Sequence, residues 1–379
     1  MANLSKSNIL PSNSYSALIM AGGTGGHIFP GLAIAQELQS KGWKTNWLGS
    51  IGGMESKIIG DTDIPLNLIS ISGLRGNGLT GWLKSPFVLL KAIWQAINII
   101  RQVKPDVVIG FGGFASGPGG VAAFVLRKPL FIHEQNAVAG MTNRTLAKIA
   151  RRVFLAFPNA IQAGANCQTI GNPIRREIVE LCNNKKVMQS KNSQSKLNLL
   201  VIGGSRGARV FNEILPGILA PLVKLNKISL RHQSGRGNLQ TTLNVFAENN
   251  LQDSNDLKVE EFIRDMNEAY QWADLVICRA GALTVSEIAA VGIAAIFVPF
   301  PYAVDDHQSK NALWLVEQDA AVLISETELH KEGARHTILE LVENPKKMEK
   351  MGKQAKNVAY FNATQLLTEA CELLMKEVA

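Results

Sequence analysis

The 379-residue chain has few cysteines, few aromatic residues and no long apolar run, and one segment is nearly without acids. Its four cysteines (Cys167, Cys182, Cys278 and Cys371) are scattered, with no Cys-x-x-Cys and no tight Cys/His spacing. That spacing excludes a disulfide scaffold and a zinc module, and reduced cytosolic thiols are the natural reading. No stretch reaches the roughly 18 apolar residues that a spanning helix needs. The longest, 288–300, stops at thirteen and contains Gly292 and Pro299. Residues 1–16 are polar, and the apolar run Ala17–Ala21 is too short for a signal-peptide core, so no targeting segment is expected. Charged residues make up only 18% and apolar residues 46%, which excludes a largely disordered chain. A length of 379 residues suggests two or three domains, each able to bury its own core. The protein is expected to be soluble or peripheral.

The formal net charge of +8 points first to nucleic acid, but its distribution argues otherwise. Residues 1–63 balance four acids against four bases. Residues 64–176 hold two acids, Asp106 and Glu134, against thirteen bases. Residues 177–379 hold twenty-five acids and twenty-two bases. The excess therefore belongs to one segment. A nucleic-acid binder would group aromatics and bases into a stacking platform, and no such grouping occurs outside 64–105.

Short β-rich runs alternate with helical ones. Ala17–Ala21, Thr45–Leu48, 106–110, 130–133 and a closing Val153–Phe157 read as strands. A helix is expected over Pro30–Ser40, and a strand at Ile64-Pro65. After the polar, lysine-rich excursion 183–196 the pattern restarts, with strands at Leu197–Ile202, Ile228–Arg231, Leu275–Cys278 and Ala294–Val298. Such alternation predicts parallel sheets with crossover helices. Two strand–glycine–helix entries, AGGTGGH and IGGSRGAR, lie 181 residues apart (Gly22 to Gly203). This weak internal repeat suggests two doubly wound α/β domains facing each other.

A glycine turn between strand and helix lets backbone approach a ligand and aims helix N–H groups at an anion. Three such loops (22–26, 112–120, 203–207) make a phosphate-bearing ligand plausible, although tight strand–helix packing alone would also explain them. A dinucleotide site wants an acid at the end of the second strand. The chain has Trp47-Leu48-Gly49-Ser50 and Leu230-Arg231-His232-Gln233 there, which removes most of the weight from NAD. A further helix start, Cys278-Arg279-Ala280-Gly281-Ala282-Leu283-Thr284-Val285-Ser286-Glu287, offers amides near 282–286 to a diphosphate. Thr284 and Ser286 add hydroxyls, and Glu287 can accept from a ribose hydroxyl. The plainer reading of these residues is helix-end chemistry.

The motifs GGTGGHIFPGLAIA (22–35), ISGLRGNG (71–78), GFGGFASGPGG (110–120), HEQNAVAGMTN (133–143) and GNPIR (171–175) run in order along the chain. GGSRGAR (203–209), HQSG (232–235), CRAGALTVSEIAA (278–290), VPFP (298–301) and DDHQSKNA (305–312) follow. With these motifs the chain resembles the MurG family, the N-acetylglucosaminyltransferases of peptidoglycan synthesis. The resemblance implies a GT-B fold, two Rossmann-like doubly wound domains with an interdomain cleft. It places an acceptor and membrane-facing domain at 1–175 and a UDP-GlcNAc domain at 176–357, with a helix at about 358–379 packing back on the first. It implies inverting transfer of GlcNAc from UDP-GlcNAc to the 4-hydroxyl of MurNAc in undecaprenyl-pyrophosphoryl-MurNAc-pentapeptide (lipid I), giving lipid II. No cofactor and no metal are expected. The implied partners are UDP-GlcNAc, lipid I, an anionic membrane surface and other cell-wall synthesis proteins, with no nucleic acid. The implied location is the cytoplasmic face of the inner membrane.

By the same resemblance Ala282, Leu283, Thr284, Val285, Ser286 and Glu287 form the diphosphate and ribose region. Ser205 and Arg175 help hold phosphate or sugar, and Ile263 contacts uracil through its backbone. Gln308 is carried over as a sugar contact. Thr24, Gly25, Gly26 and Asn136 close over the GlcNAc or the acceptor. His27 is the leading base candidate, since a neutral imidazole is poised near pH 7; the alternative is that it only caps the helix or orients a neighbour. His133 and Glu134 read as supports for Asn136, and His307 as a loop residue. Asp61-Thr62-Asp63 and Asp305-Asp306 read as loops and not as metal ligands.

From Ile64 to Pro105 there is no acid, while Arg75, Lys84, Lys91, Arg101 and Lys104 are interleaved with Trp82, Phe87, Leu90, Trp94 and other apolar residues. Lys84, Lys91, Gln95, Asn98 and Gln102 fall on one polar helical stripe, and part of the remaining apolar arc is expected in the core. An apolar tip ringed by cations, Trp82, Lys84, Phe87 and Lys91, would suit anionic headgroups. A different UDP-sugar enzyme of the same fold, an epimerase or antibiotic-type transferase, is the main rival. It would share the second-domain motifs but lack HEQNAVAGMTN and the basic amphipathic stretch.

Overall fold

The computed structural model describes residues 14–71, 78–161, 166–184, 196–204, 207–252 and 254–378. The first half alternates β1 (Ser16–Met20), α1 (Gly25–Ser40), β2 (Lys44–Ser50), α2 (Glu55–Gly60), β3 (Leu66–Ile69) and α3 (Gly78–Val103). It continues with β4 (Val107–Gly110), α4 (Ser116–Val125), β5 (Leu130–Glu134), α5 (Met141–Leu146), β6 (Arg152–Leu155) and β7 (Cys167–Thr169). These seven strands form one sheet in the order β3-β2-β1-β4-β5-β6-β7, parallel throughout.

The second half opens with α6 (Arg176–Asn184), β8 (Leu197–Ile202), α7 (Arg209–Lys224), β9 (Ile228–Gln233), α8 (Leu239–Glu248) and β10 (Leu257–Glu260). There follow α9 (Met266–Trp272), β11 (Leu275–Cys278), α10 (Ala282–Val291), β12 (Ala294–Phe297), α11 (His307–Val316) and β13 (Ala321–Leu323). Three helices close the chain: α12 (Glu332–Glu343), α13 (Pro345–Val358) and α14 (Ala363–Val378). The second sheet, β10-β9-β8-β11-β12-β13, repeats the order of the first without its seventh strand. Central strands such as Ala17-Leu18-Ile19-Met20 and Leu275-Val276-Ile277-Cys278 are buried on both faces, as helices covering both sides of a parallel sheet require.

Strand order reverses between β1 and β4, and again between β8 and β11. At such switch points the loops leaving the carboxyl ends of adjacent strands diverge and open a crevice. The loops there include 21–24, 111–115, 203–204, 207–208 and 279–281, so the fold brings the glycine-rich segments to the crevices. Helix α1 starts at Gly25, five residues earlier than expected, which puts Gly25, Gly26 and His27 in its first turn. Pro30 sits inside the helix, in its second turn, and leaves the Gly26 carbonyl without an intrahelical N–H donor.

Three strands escape the sequence reading. β7 lies outside β6, so Val153–Phe157 does not close the sheet, and β10 and β13 complete the second one. Each has three or four residues and carries partly exposed positions, too few for a readable apolar run. The strand expected at Ile64-Pro65 starts at Leu66.

The chain passes between the sheets twice, and the two passages meet. Gly171 has φ +88°, and a Cβ there would lie 2.2 Å from the Cβ of Tyr360. Trp314 stacks on Tyr360 with ring centroids 6.3 Å apart and meets Phe157 edge-on at 5.2 Å. After the second passage α14 lies on the first sheet's side. Its Ala363, Leu367, Ala370, Cys371 and Leu374 join Ile28, Ile34 and Leu38 of α1 in one apolar cluster.

Candidate active site

A cleft of about 360 Å³ is lined by Gly25, Gly26 and Phe29 of α1, by Pro173–Arg175, and by second-domain residues including Gln233, Ile263, Tyr270, Gly281–Thr284 and Glu287. Helix α10 enters it through Gly281, an extended N-cap (φ −63°, ψ 142°) with no side chain capping the first turn. The amides of that turn and the positive end of the helix dipole therefore face the cleft, an arrangement that suits an anion.

Behind these amides the side chains divide their work. Val285 is fully buried in the apolar core and its amide donates to the Gly281 carbonyl at 2.9 Å, so, contrary to expectation, neither its side chain nor its N–H is open to a ligand. Ser286 Oγ accepts the Asn172 side-chain amide at 3.0 Å, so this hydroxyl is already tied to the crossing segment. Glu287 Oε1 accepts Arg175 Nε at 3.1 Å and a second guanidinium N–H at 2.9 Å. Its other oxygen accepts the Tyr270 hydroxyl at 3.2 Å. Burial, with Glu287 next, raises the Tyr270 phenol well above its ordinary range, so this hydroxyl remains a donor. Arg175 and Glu287, both expected at the donor site, thus hold one another.

The first-domain wall is built by close backbone approach. A Cβ on Gly113 (φ +83°) would lie 2.2 Å from the Gly22 carbonyl oxygen, so the loops after β1 and β4 pack glycine on glycine. Glu55, fully buried beneath, accepts Ser50 N at 2.6 Å, Ser50 Oγ at 2.7 Å and Gly23 N at 3.2 Å, fixing the first loop from below. These glycines serve tight packing as much as ligand access.

His27 Nδ1 lies 3.2 Å from the Gly22 carbonyl oxygen and 3.2 Å from Thr24 Oγ1. A carbonyl only accepts, so Nδ1 carries the proton and Nε2 keeps its lone pair. Nε2 lies beside Gly112, where an added Cβ would come within 3.3 Å of it. Burial lowers the His27 pKa, the Gly22 bond opposes that, and the nearby charge of His307 lowers it further. His307, read from sequence as a loop residue, thus acts on His27 from the second domain.

Glu134 organises the loop after β5. It accepts Asn136 N at 2.9 Å, Asn143 Nδ2 at 2.9 Å, Asn136 Nδ2 at 3.3 Å and Gly140 N at 3.3 Å. Burial nevertheless pushes its carboxyl up, against those bonds. His133 donates from Nε2 to the Gly171 carbonyl at 2.9 Å, and burial pushes its pKa down to about 4. Asn136 is also held from the second domain, since Asn311 Nδ2 donates to its Oδ1 at 3.3 Å and to the Ala280 carbonyl at 3.2 Å. Asn172 donates to the Gln135 carbonyl at 3.1 Å as well as to Ser286. The loop after β5 is therefore bonded to both flanks of the α10 start.

Of the residues expected from sequence, the cleft wall gathers Gly25, Gly26, Arg175, Ile263, Ala282, Leu283, Thr284 and Glu287. Thr24 and Asn136 stand beside it, bonded to His27 and Asn311. The Ile263 amide is aimed at Gln233 Oε1 at 3.4 Å. Gln308 does not line the cleft; its Oε1 accepts Phe300 N at 3.0 Å. Ser205 lies outside the described residues. Sequence reasoning gave no role to Gln233, Tyr270, Asn172 or Asn311, although three of them stand inside motifs named above (HQSG, GNPIR and DDHQSKNA). Among the described residues no group of three or more His, Cys, Asp or Glu side chains is gathered to hold a metal ion.

Among the described side chains of α3 the buried ones are Ala92, Ala96 and Ile100, at helical spacing. Gln95, expected on the polar stripe, instead turns inward, accepting Ser70 N at 2.8 Å. Large apolar side chains are left outside: Phe87 is 76% exposed, Leu90 64% and Trp94 65%. Phe124 and Val125, at the end of the adjacent α4, are also exposed, as is Lys91. The Trp82 and Lys84 side chains lie outside the described residues. Among the described residues no helix is long and apolar enough to cross a membrane.

Residues 17–155 match the glycosyltransferase family 28 N-terminal domain and residues 198–366 the glycosyltransferase family 28 C-terminal domain. Over 387 aligned positions the chain is 46% identical to the UDP-N-acetylglucosamine–N-acetylmuramyl-(pentapeptide) pyrophosphoryl-undecaprenol N-acetylglucosamine transferase of Pseudoalteromonas atlantica, covering 98% of this chain and 99% of that relative. The crystal structure of MurG from Acinetobacter baumannii is similar at a TM-score of 0.78 and 37% identity, covering 96% of this chain and 99% of that one. The calicheamicin glycosyltransferase CalG4, at a TM-score of 0.67 and 13% identity over 97% of this chain and all of that one, shares the fold alone. The fold is GT-B, and the chain belongs to glycosyltransferase family 28 and, within it, to the MurG family.

Proposed function

We propose that the protein transfers GlcNAc from UDP-GlcNAc to the 4-hydroxyl of MurNAc in lipid I, forming lipid II with inversion at the anomeric carbon. The observation that carries this is the cleft itself, where the uncapped start of α10 faces the first turn of α1 across space for a nucleotide sugar. The diphosphate lies on the open amides at the start of α10, those of 282–284, and Arg175 supplies a cation within reach. Uracil is read by the Ile263 backbone, and the ribose by Glu287. Thr24, Gly25, Gly26 and Asn136 border the sugar and the acceptor, with Ser205 as a further donor-site contact.

Inversion by single displacement needs a base for the acceptor proton and stabilisation of the departing UDP. His27 serves as the base: Nε2 accepts the proton of the MurNAc 4-hydroxyl as its oxygen attacks the anomeric carbon. The charge growing on UDP meets the helix amides and Arg175. Asn136 and Asn143, held by Glu134, orient the acceptor.

The acceptor is lipid-linked, so the enzyme must visit a membrane surface. The exposed apolar residues of α3 and α4, with Lys84 and Lys91 nearby, form the docking face on the cytoplasmic side of the inner membrane. Co-sedimentation with anionic vesicles tests this: binding is expected to fall in Lys84→Glu/Lys91→Glu, and undiminished binding sinks the docking reading. Other cell-wall synthesis proteins are expected partners at that surface. Labelled UDP-GlcNAc with a lipid I analogue tests the reaction, and transfer from a different UDP-sugar in its place would overturn it.

A further inference from the structure

Glu287 is buried at the cleft wall, and its carboxylate is held from two directions. Arg175 takes Oε1 twice, from Nε at 3.1 Å and from a second guanidinium nitrogen at 2.9 Å. Tyr270, almost fully buried on α9 and itself part of the cleft lining, takes Oε2 at 3.2 Å. A carboxylate offers about four acceptor positions. Two on Oε1 and one on Oε2 are occupied, so the open position belongs to Oε2, the oxygen that Tyr270 holds. Arg175 is the freer partner, since its side chain is 42% exposed while that of Glu287 is 7% exposed. A guanidinium drawn to the diphosphate would leave the phenol as the remaining group aiming this carboxylate.

We propose that Tyr270 is a positioning residue for nucleotide recognition: its hydroxyl orients Glu287 so that Oε2 accepts a ribose hydroxyl, making Tyr270 a determinant of ribose selectivity. The inference rests on the UDP-GlcNAc reading of the cleft and adds to it a residue that touches neither sugar nor base. Burial keeps the phenol protonated, so it donates throughout the working pH range. The aromatic ring packs in the core beneath α10, and only the hydroxyl is given this task.

The test compares the full-length wild type with Tyr270→Phe, which keeps the ring, by calorimetric titration with UDP and with 2′,3′-dideoxy-UDP. Wild type is expected to prefer UDP. In Tyr270→Phe the UDP affinity is expected to fall about tenfold, the scale of one hydrogen bond to a charged group. The dideoxy affinity is expected to stay within about twofold, so the preference collapses. The KM for UDP-GlcNAc should rise with it while kcat is nearly kept. Equal weakening of both ligands would mean a packing role and overturn the proposal, as would an unchanged preference. If Tyr270→Phe does not fold, Glu287→Gln in the same titration decides, because an undiminished ribose preference there removes the carboxylate that Tyr270 is said to aim. Absence of any ribose preference in wild type would overturn this inference together with the ribose role of Glu287. A wild type that prefers UDP but transfers no GlcNAc would instead strike the functional reading.

Discussion

The buried Asn311 side chain accepts the Ala137 amide at 2.8 Å, fastening α11 of the second domain to the loop after β5 of the first. The same side chain donates to Asn136 and to Ala280, which stands just before the start of α10. One amide therefore ties the loop after β5 to the segment that leads into α10. Asn311→Ala leaves buried polar groups without their partner and should cost about 1–3 kcal/mol. Thermal unfolding should show a lower midpoint, and kcat should fall more than the affinity for UDP. A variant with wild-type stability and kcat would rule out the clamp.

Acid should act on the fold as well as on the reaction. Burial depresses His133 to about 4 and His232 to about 3, below the ordinary 6.5. A depressed folded-state pKa means that the unfolded chain takes up the proton first. Stability is then full above pH 6.5 and is lost as pH falls from there toward 4, on the order of 2 kcal/mol per histidine by pH 5. Denaturant midpoints measured from pH 7.5 to 5 should drop, and the drop should shrink in His133→Gln. A flat profile in the wild type would contradict the burial argument.

The His27 pKa is also lowered, by burial first and by the His307 charge. As the base it is active when neutral, so kcat/KM should hold through neutrality and decline only below pH 6.5. His307→Gln removes a charge that depresses it, so the acid limb should move upward in pH. His27→Ala should cost more than about tenfold in kcat, since general-base catalysis contributes more than that. A smaller loss would leave His27 as a capping residue.

The meeting of the two interdomain passages can be tested at Gly171. A methyl there meets a left-handed backbone and the Tyr360 side chain at once, whereas a Cβ added at Gly52, at φ +77°, would have nothing within 4 Å. Gly52→Ala should cost about 1–2 kcal/mol for the backbone alone. Gly171→Ala should cost more, because Tyr360 and the Trp314 stacked on it must shift. Equal losses in melting experiments would mean that the contact is not tight.

The exposed patch makes its own prediction. Phe87→Ser with Trp94→Ser should weaken binding to anionic vesicles several-fold and leave UDP affinity unchanged, since neither residue lines the cleft. Unchanged vesicle binding would move the docking face elsewhere.

Much of this was legible because parallel strands write themselves as continuous apolar runs ending in glycine. Gly25, Gly26, Arg175, Ile263 and the start of α10 could be placed because the motifs, in their order, matched a family. What stayed hidden is long-range pairing. Tyr270 reads as an ordinary core aromatic in Met266–Trp272, and its partner Glu287 is seventeen residues away. Asn311 reads as a polar position on an amphipathic helix, though its partners lie 174 and 175 residues back. The apolar arc of α3 was legible in outline, part of it in the core and Phe87 at an exposed tip, but not which positions are buried: Ala92, Ala96 and Ile100 lie inside where α4 packs close, and Leu90 and Trp94 face out with Phe87.

A single transfer assay tests the central claim most directly. Purified full-length protein is incubated with labelled UDP-GlcNAc and a lipid I analogue, and the product is resolved for a labelled disaccharide with a β-linkage to the MurNAc 4-hydroxyl. That product is expected, with stoichiometric release of UDP. Release of a 2-epimerised sugar without transfer, or transfer only from another UDP-sugar, would contradict the claim.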